Sequence, residues 1–134
     1  MYRWGVLVLM AAMSVAPARA EAPLPGLGEP MRRPVVNATD AALVIGNEAY
    51  SSAARVPYAG RDATAMAEWL EYSLGIGDNV RKLSDVPVEV MLDELSRQLS
   101  KVQPGGKLWF YFAGHGIADP ATQGRVLLGS DANH

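Results

Sequence analysis

Residues 107–116 read KLWFYFAGHG, and the fold hinges on them. Leu108, Trp109, Phe110, Tyr111, Phe112 and Ala113 form a short apolar and aromatic run without polar alternation. A strand of that kind needs cover on both faces, which predicts a place in the middle of a parallel sheet. Gly114, His115 and Gly116 follow directly, so an imidazole stands where the strand ends. In open α/β folds that rim is where ligands and reacting groups gather. The two glycines add no side chains, which admits a substrate or another backbone close to the ring. The plainer alternative is a lone histidine in a strand-end turn.

Upstream, Ala41, Ala42, Leu43, Val44 and Ile45 make a second continuous apolar run, ended by Gly46 and Asn47. That pattern predicts another buried strand entering a turn. Residues 62–74 predict a helix: Met66, Leu70 and Leu74 share a face with Ala63 and Ala67, Glu68 and Glu71 point away, and Gly75 ends it. Residues 80–83 read as a short strand. Residues 87–102 predict the clearest helix, with Val88, Met91, Leu92, Leu95, Leu99 and Val102 at helical spacing between Pro87 and Pro104-Gly105-Gly106. Residues 125–128 suggest a weak fourth strand. Strands alternating with helices predict an α/β fold with a mostly parallel sheet and right-handed crossovers. No helix follows to cover the fourth strand, so the domain reads as incomplete at its C-terminal side.

The chain divides into three parts. Residues 1–20 carry Arg3, an apolar core from Gly5 to Val15, and Ala18-Arg19-Ala20. This is the pattern of a signal peptide cleaved before Glu21, and it implies export to the periplasm or beyond. The apolar core is too short for a stable membrane span, which takes about 20 residues; an uncleaved anchor is the alternative. Residues 21–39 hold four prolines and two glycines without periodicity, as a linker does. Residues 40–134 form the folded part.

Of the 134 residues, 49% are hydrophobic, ordinary for one globular domain. Losing Arg3 and Arg19 with the signal segment takes the 12 basic residues to 10 against 14 acidic ones, a net charge of −4. With no basic stripe and no aromatics interleaved with Lys or Arg, nothing suggests a nucleic-acid partner. There is no cysteine, so disulfides and thiolate metal sites are excluded within these residues.

His115 at a strand end suits general-base chemistry, since an imidazole titrates near neutrality. No nucleophile is obvious: Ser84, Ser100 and Ser130 lack the nucleophile-elbow pattern of the α/β-hydrolases. His134 is the only other histidine, and Asp119 and Asp131 are loop acids, so neither a metal nor a cofactor is expected. A nucleotide-binding fold is disfavoured, because Gly46-Asn47-Glu48 is neither a Walker motif nor Gly-x-Gly-x-x-Gly and Glu48 would repel phosphate.

Three segments in order carry a family resemblance: Ala42-Leu43-Val44-Ile45-Gly46-Asn47 with Tyr50, Gly60-Arg61-Asp62-Ala63, and Leu108 through Gly116. Together they resemble the caspase-like cysteine peptidases, most closely the bacterial and metacaspase-type members. The resemblance implies a three-layer αβα sandwich and a cysteine–histidine dyad that cleaves peptides or proteins. It matches His115 to the catalytic histidine and Gly116 to the glycine whose N–H helps hold the oxyanion. It matches Asp62 to an acidic residue that favours Arg or Lys at the cleavage site. Helix N-capping is the other reading of Asp62, since it stands just before Ala63. Arg55 and Arg61 offer the opposite preference, for an acidic substrate. The family's cysteine follows its histidine by about 50 residues, and this sequence has none. The chain therefore reads as the N-terminal part of such a domain, either a fragment or a degenerate relative that binds peptides or partners without cleaving them.

Overall fold

The computed structural model describes residues 36–122 and 124–132. The expected signal segment and nearly all of the linker lie outside the described residues. Strand β1 (Ala41–Gly46) is the axis of the fold: all six of its residues are buried. It pairs in parallel with β2 (Val80–Ser84) on one side and β3 (Leu108–Ala113) on the other, so that Val44 faces both Lys82 and Tyr111. Helix α1 (Ala59–Glu68) covers one face and α2 (Val88–Lys101) the other. The alternation of β1 divides the core accordingly. Ala42 and Val44 pack with Ala63, Ala67 and Leu70, whereas Leu43 and Ile45 pack with Leu83 and Met91. This is an αβα sandwich built on a three-stranded parallel sheet, a partial caspase-like architecture.

Several expectations are corrected by this arrangement. Among the described residues the aromatic strand is not central. β3 is the edge of the order β2-β1-β3, and Phe110 is 45% exposed. The apolar run meant two faces to cover, but the described chain covers them only in part. The fourth strand does not join this sheet. β5 (Arg125–Leu127) pairs antiparallel with β4 (Gly116–Ala118), the segment just after His115, and the two form a separate ribbon. Its hairpin tip is ordered by Asp119, which accepts hydrogen bonds from Ala121 N at 2.9 Å and the Thr122 hydroxyl at 2.6 Å.

The helices differ in detail from the sequence pattern. α1 starts at Ala59, three residues before the expected Asp62, and Tyr58 caps it in a left-handed conformation (φ 73°). Beyond Glu68 it widens into a π-helical turn, Trp69–Ser73, and ends at Gly75, whose φ of 76° suits a glycine. α2 is rotated relative to its apolar stripe. Met91, Glu94 and Gln98 are buried, while Leu92 and Leu99 are 59% and 60% exposed. Glu94 tolerates burial because Arg97 and Arg81 reach it at 2.7 and 3.2 Å.

Gly46 lets α1 approach the end of β1. A Cβ there would stand 2.6 Å from the Ala59 carbonyl oxygen and 2.7 Å from Ala63 Cβ. The close contact packs the start of α1 against the end of β1.

Candidate active site around His115

β3 ends at Ala113, whose carbonyl accepts the Asn47 N–H at 2.9 Å, so β1 and β3 leave the sheet together. The chain turns at Gly114, where a Cβ would collide with the Tyr50 hydroxyl and the Phe112 ring. His115 is then fixed from several sides. Its N–H donates to the Tyr50 hydroxyl at 2.8 Å, and its carbonyl accepts the Leu128 N–H at 3.0 Å. The Tyr50 ring packs on the imidazole, with centroids 4.9 Å apart and planes tilted by 60°. Nε2 lies 2.7 Å from the Ala54 carbonyl oxygen.

That last contact assigns the tautomer. A carbonyl oxygen only accepts, so Nε2 carries the hydrogen and the neutral ring presents a bare Nδ1. A half-buried imidazole with one nitrogen anchored and the other able to take a proton is equipped for general-base work. Burial pushes the Tyr50 phenol up from its ordinary pKa, against the His115 N–H it accepts and with help from the Asp85 charge. Tyr50 therefore stays neutral beside the ring.

The floor of the rim is polar and tightly satisfied. Asn47 is fully buried; its amide donates to the carbonyls of Val86 (3.0 Å) and Leu128 (3.3 Å) and accepts from Val86 N at 2.9 Å. Asp85, itself left-handed at φ 51°, accepts the amides of Glu48 at 2.7 Å and Ala49 at 2.8 Å. Ser130 is bound in the same framework, its N–H to Val86 and its hydroxyl to the Asp85 carbonyl at 3.1 Å. An open pocket of about 350 Å³ lies here, lined by Ala49, Tyr50, Ser51, Asp85 and Ser130.

His115 and Gly116 are neighbours at this rim, and Gly116 is exposed as the first residue of β4. A Cβ on Gly116 would make only ordinary contacts, 3.5 Å from the Val126 carbonyl oxygen. Of the two glycines flanking His115, Gly114 is the one the protein packs closely. Asp62 lies in the first turn of α1, half exposed, 3.4 Å from Arg61. It does not cap the helix, which begins three residues earlier. Arg61 in turn stacks over the Tyr58 ring, 4.5 Å from its centroid. Arg55 pairs with Glu48 at 2.5 Å. Asp131 accepts the first N–H of α2 from Val88 at 3.2 Å. Among the described residues, no group of three His, Cys, Asp or Glu side chains is placed to hold a metal. No helix among them is long and apolar enough to cross a membrane.

The sequence named Tyr50 only as part of a motif, and Asn47 only as part of that motif and as a turn. Ala54 carried no signal, because its role lies in a main-chain oxygen.

The family model of the Caspase domain matches residues 39–133. The chain belongs to the caspase domain family. No curated protein and no solved structure gives a significant match. Peptides are the substrate class of a caspase domain, and its nucleophile is a thiol. These 134 residues contain no cysteine, so that nucleophile is absent from the chain.

Proposed function

We propose that this caspase domain is the histidine-bearing part of a cysteine-type endopeptidase of the bacterial, metacaspase-like kind. His115 is its base, Gly116 N–H an oxyanion donor and Asp62 the group that favours Arg or Lys at the cleavage site. The anchored Nε2 and bare Nδ1 of His115 carry the reading. With a thiol supplied from outside these residues, Nδ1 takes its proton and the thiolate adds to the scissile carbonyl carbon. The imidazolium then returns the proton to the leaving amine as the C–N bond breaks. Asp62, half exposed and only loosely paired, is available to a cationic side chain. Within the same reading, residues 1–20 are a signal peptide, 21–39 a linker, and 40–134 the exported domain.

Without a thiol the chain binds peptides and leaves them intact. Reporter peptides ending in Arg, Lys or Asp should survive incubation with the purified protein. A peptide amide ending in Arg should shift the His115 ring resonances, and Asp62→Asn should weaken that binding severalfold. Cleavage that disappears in His115→Ala would require another nucleophile, and preferential binding of the Asp-ended peptide would shift the role to Arg55 or Arg61. N-terminal sequencing of the exported product should begin at Glu21; a soluble cytoplasmic protein starting at Met1 would remove the export step.

A further inference from the structure

We propose that Glu48 is a positioning residue that holds the His115 imidazole through the loop of residues 47–58. The proposal rests on the reading of His115 as the base. The ring's anchor, the Ala54 carbonyl, belongs to an exposed residue of a loop rich in Ser and Ala. Such a segment has few apolar contacts of its own and opens readily unless something ties it down.

Ser51, bonded to the Ser130 carbonyl at 2.9 Å, ties the loop before Ala54, and Glu48 ties it just past Ala54. The Glu48 carbonyl accepts the Val56 N–H at 2.9 Å, closing the loop two residues past Ala54. Its Oε1 takes Arg55, the next residue after Ala54, at 2.5 Å. Its Oε2 faces the Gly60 N–H at 3.4 Å, in the first turn of α1, where the helix favours a negative charge. Its own N–H is held by Asp85 at 2.7 Å. The Glu48 side chain is 23% exposed and Arg55 72%. An exposed pair of this kind adds little to global stability. Loop opening is a local equilibrium, however, and the same small term changes the open fraction severalfold. Opening frees Nε2, lets the ring turn, and removes the preference for Nδ1 as the accepting nitrogen.

The test reads His115 directly and needs no peptidase activity. The chain has two histidines, so His134 serves as the internal reference for carbethoxylation by diethyl pyrocarbonate, followed by mass mapping. In Glu48→Ala the rate at His115 relative to His134 should rise about threefold or more. Nuclear Overhauser contacts from the imidazole to Ala54 should weaken in the same protein. Arg55→Ala should do the same, and Glu48→Gln, whose amide oxygen still accepts, should fall between. A purely structural role would lower the melting temperature and leave the folded-state rate and contacts unchanged; that result overturns the proposal. Should Glu48→Ala fail to fold, Arg55→Ala, altered only at an exposed side chain, decides alone. Loss of peptide binding with the clamp intact would instead count against the peptidase reading.

Discussion

Tyr50 and Gly114 act as one unit at the residue scale. The Tyr50 hydroxyl meets the His115 N–H only because Gly114 has no Cβ in its way. Tyr50→Phe removes one acceptor and keeps the ring against the imidazole, at a cost of about 1 kcal/mol. Gly114→Ala forces the hydroxyl and the Phe112 ring aside, which should cost about 1–3 kcal/mol. The two changes are expected to be less than additive, because the phenylalanine variant has already removed one of the atoms that the added methyl would strike. Denaturant melts of the two single variants and the double variant measure this. Full additivity would mean that Tyr50 and Gly114 are independent and that the turn accommodates the methyl by another shift. The glycine was legible in the sequence as permission for close approach, but which neighbour came close was not. That depends on a tyrosine 64 positions upstream, which only the parallel pairing of β1 and β3 brings there.

At the scale of elements, the strands and helices were legible in kind, and their surroundings were not. The apolar runs of β1 and β3 look alike in sequence, yet β1 is wholly buried and β3 is an edge. Hydrophobic pattern reports the faces a strand has to cover, whereas strand order depends on long-range pairing. α2 shows the same limit. Its apolar stripe predicted Leu92 and Leu99 inside, but Glu94, once paired with two arginines, and Gln98 take the inner face beside Met91. The rotation is testable by stability. Met91→Ala opens a core position and should cost about 2–4 kcal/mol. Leu92→Gln and Leu99→Gln should each stay within about 0.5 kcal/mol of the parent, as exposed substitutions do. Comparable losses at Leu92 and Met91 would return the helix to the orientation its sequence suggests. The antiparallel ribbon of β4 and β5 escaped the sequence reading because Gly116–Ala118 is only three residues long and begins with glycine.

Over the whole molecule, β1 is pinned at both ends by a buried polar residue, Asn47 at the rim with His115 and Asp40 at the opposite edge. Asp40 is 6% exposed and gathers the starts of the strands. Its carboxylate accepts Lys107 N at 2.9 Å, Trp109 Nε1 at 2.8 Å and Asn37 Nδ2 at 2.9 Å, while its carbonyl accepts Asn79 Nδ2 at 3.3 Å. The Trp109 bond is the foremost influence holding the carboxyl below its usual range; burial works against it, and Lys107, Asn37 and Thr39 add to it. A pKa lowered by folding means that the folded state favours the carboxylate. Its stabilising contribution is whole above the unfolded value of about 3.9, and it is lost as pH falls through the lower folded value. The melting temperature should therefore hold level from neutrality to about pH 5 and fall on further acidification. Asp40→Asn leaves a donor facing donors, so it should cost about 1–3 kcal/mol at neutral pH. The same substitution removes the titrating group, so the acid limb of its melting curve should be shallower than the parent's. Equal slopes in the two proteins would assign acid unfolding to the other carboxylates and leave Asp40 as a neutral-pH anchor alone.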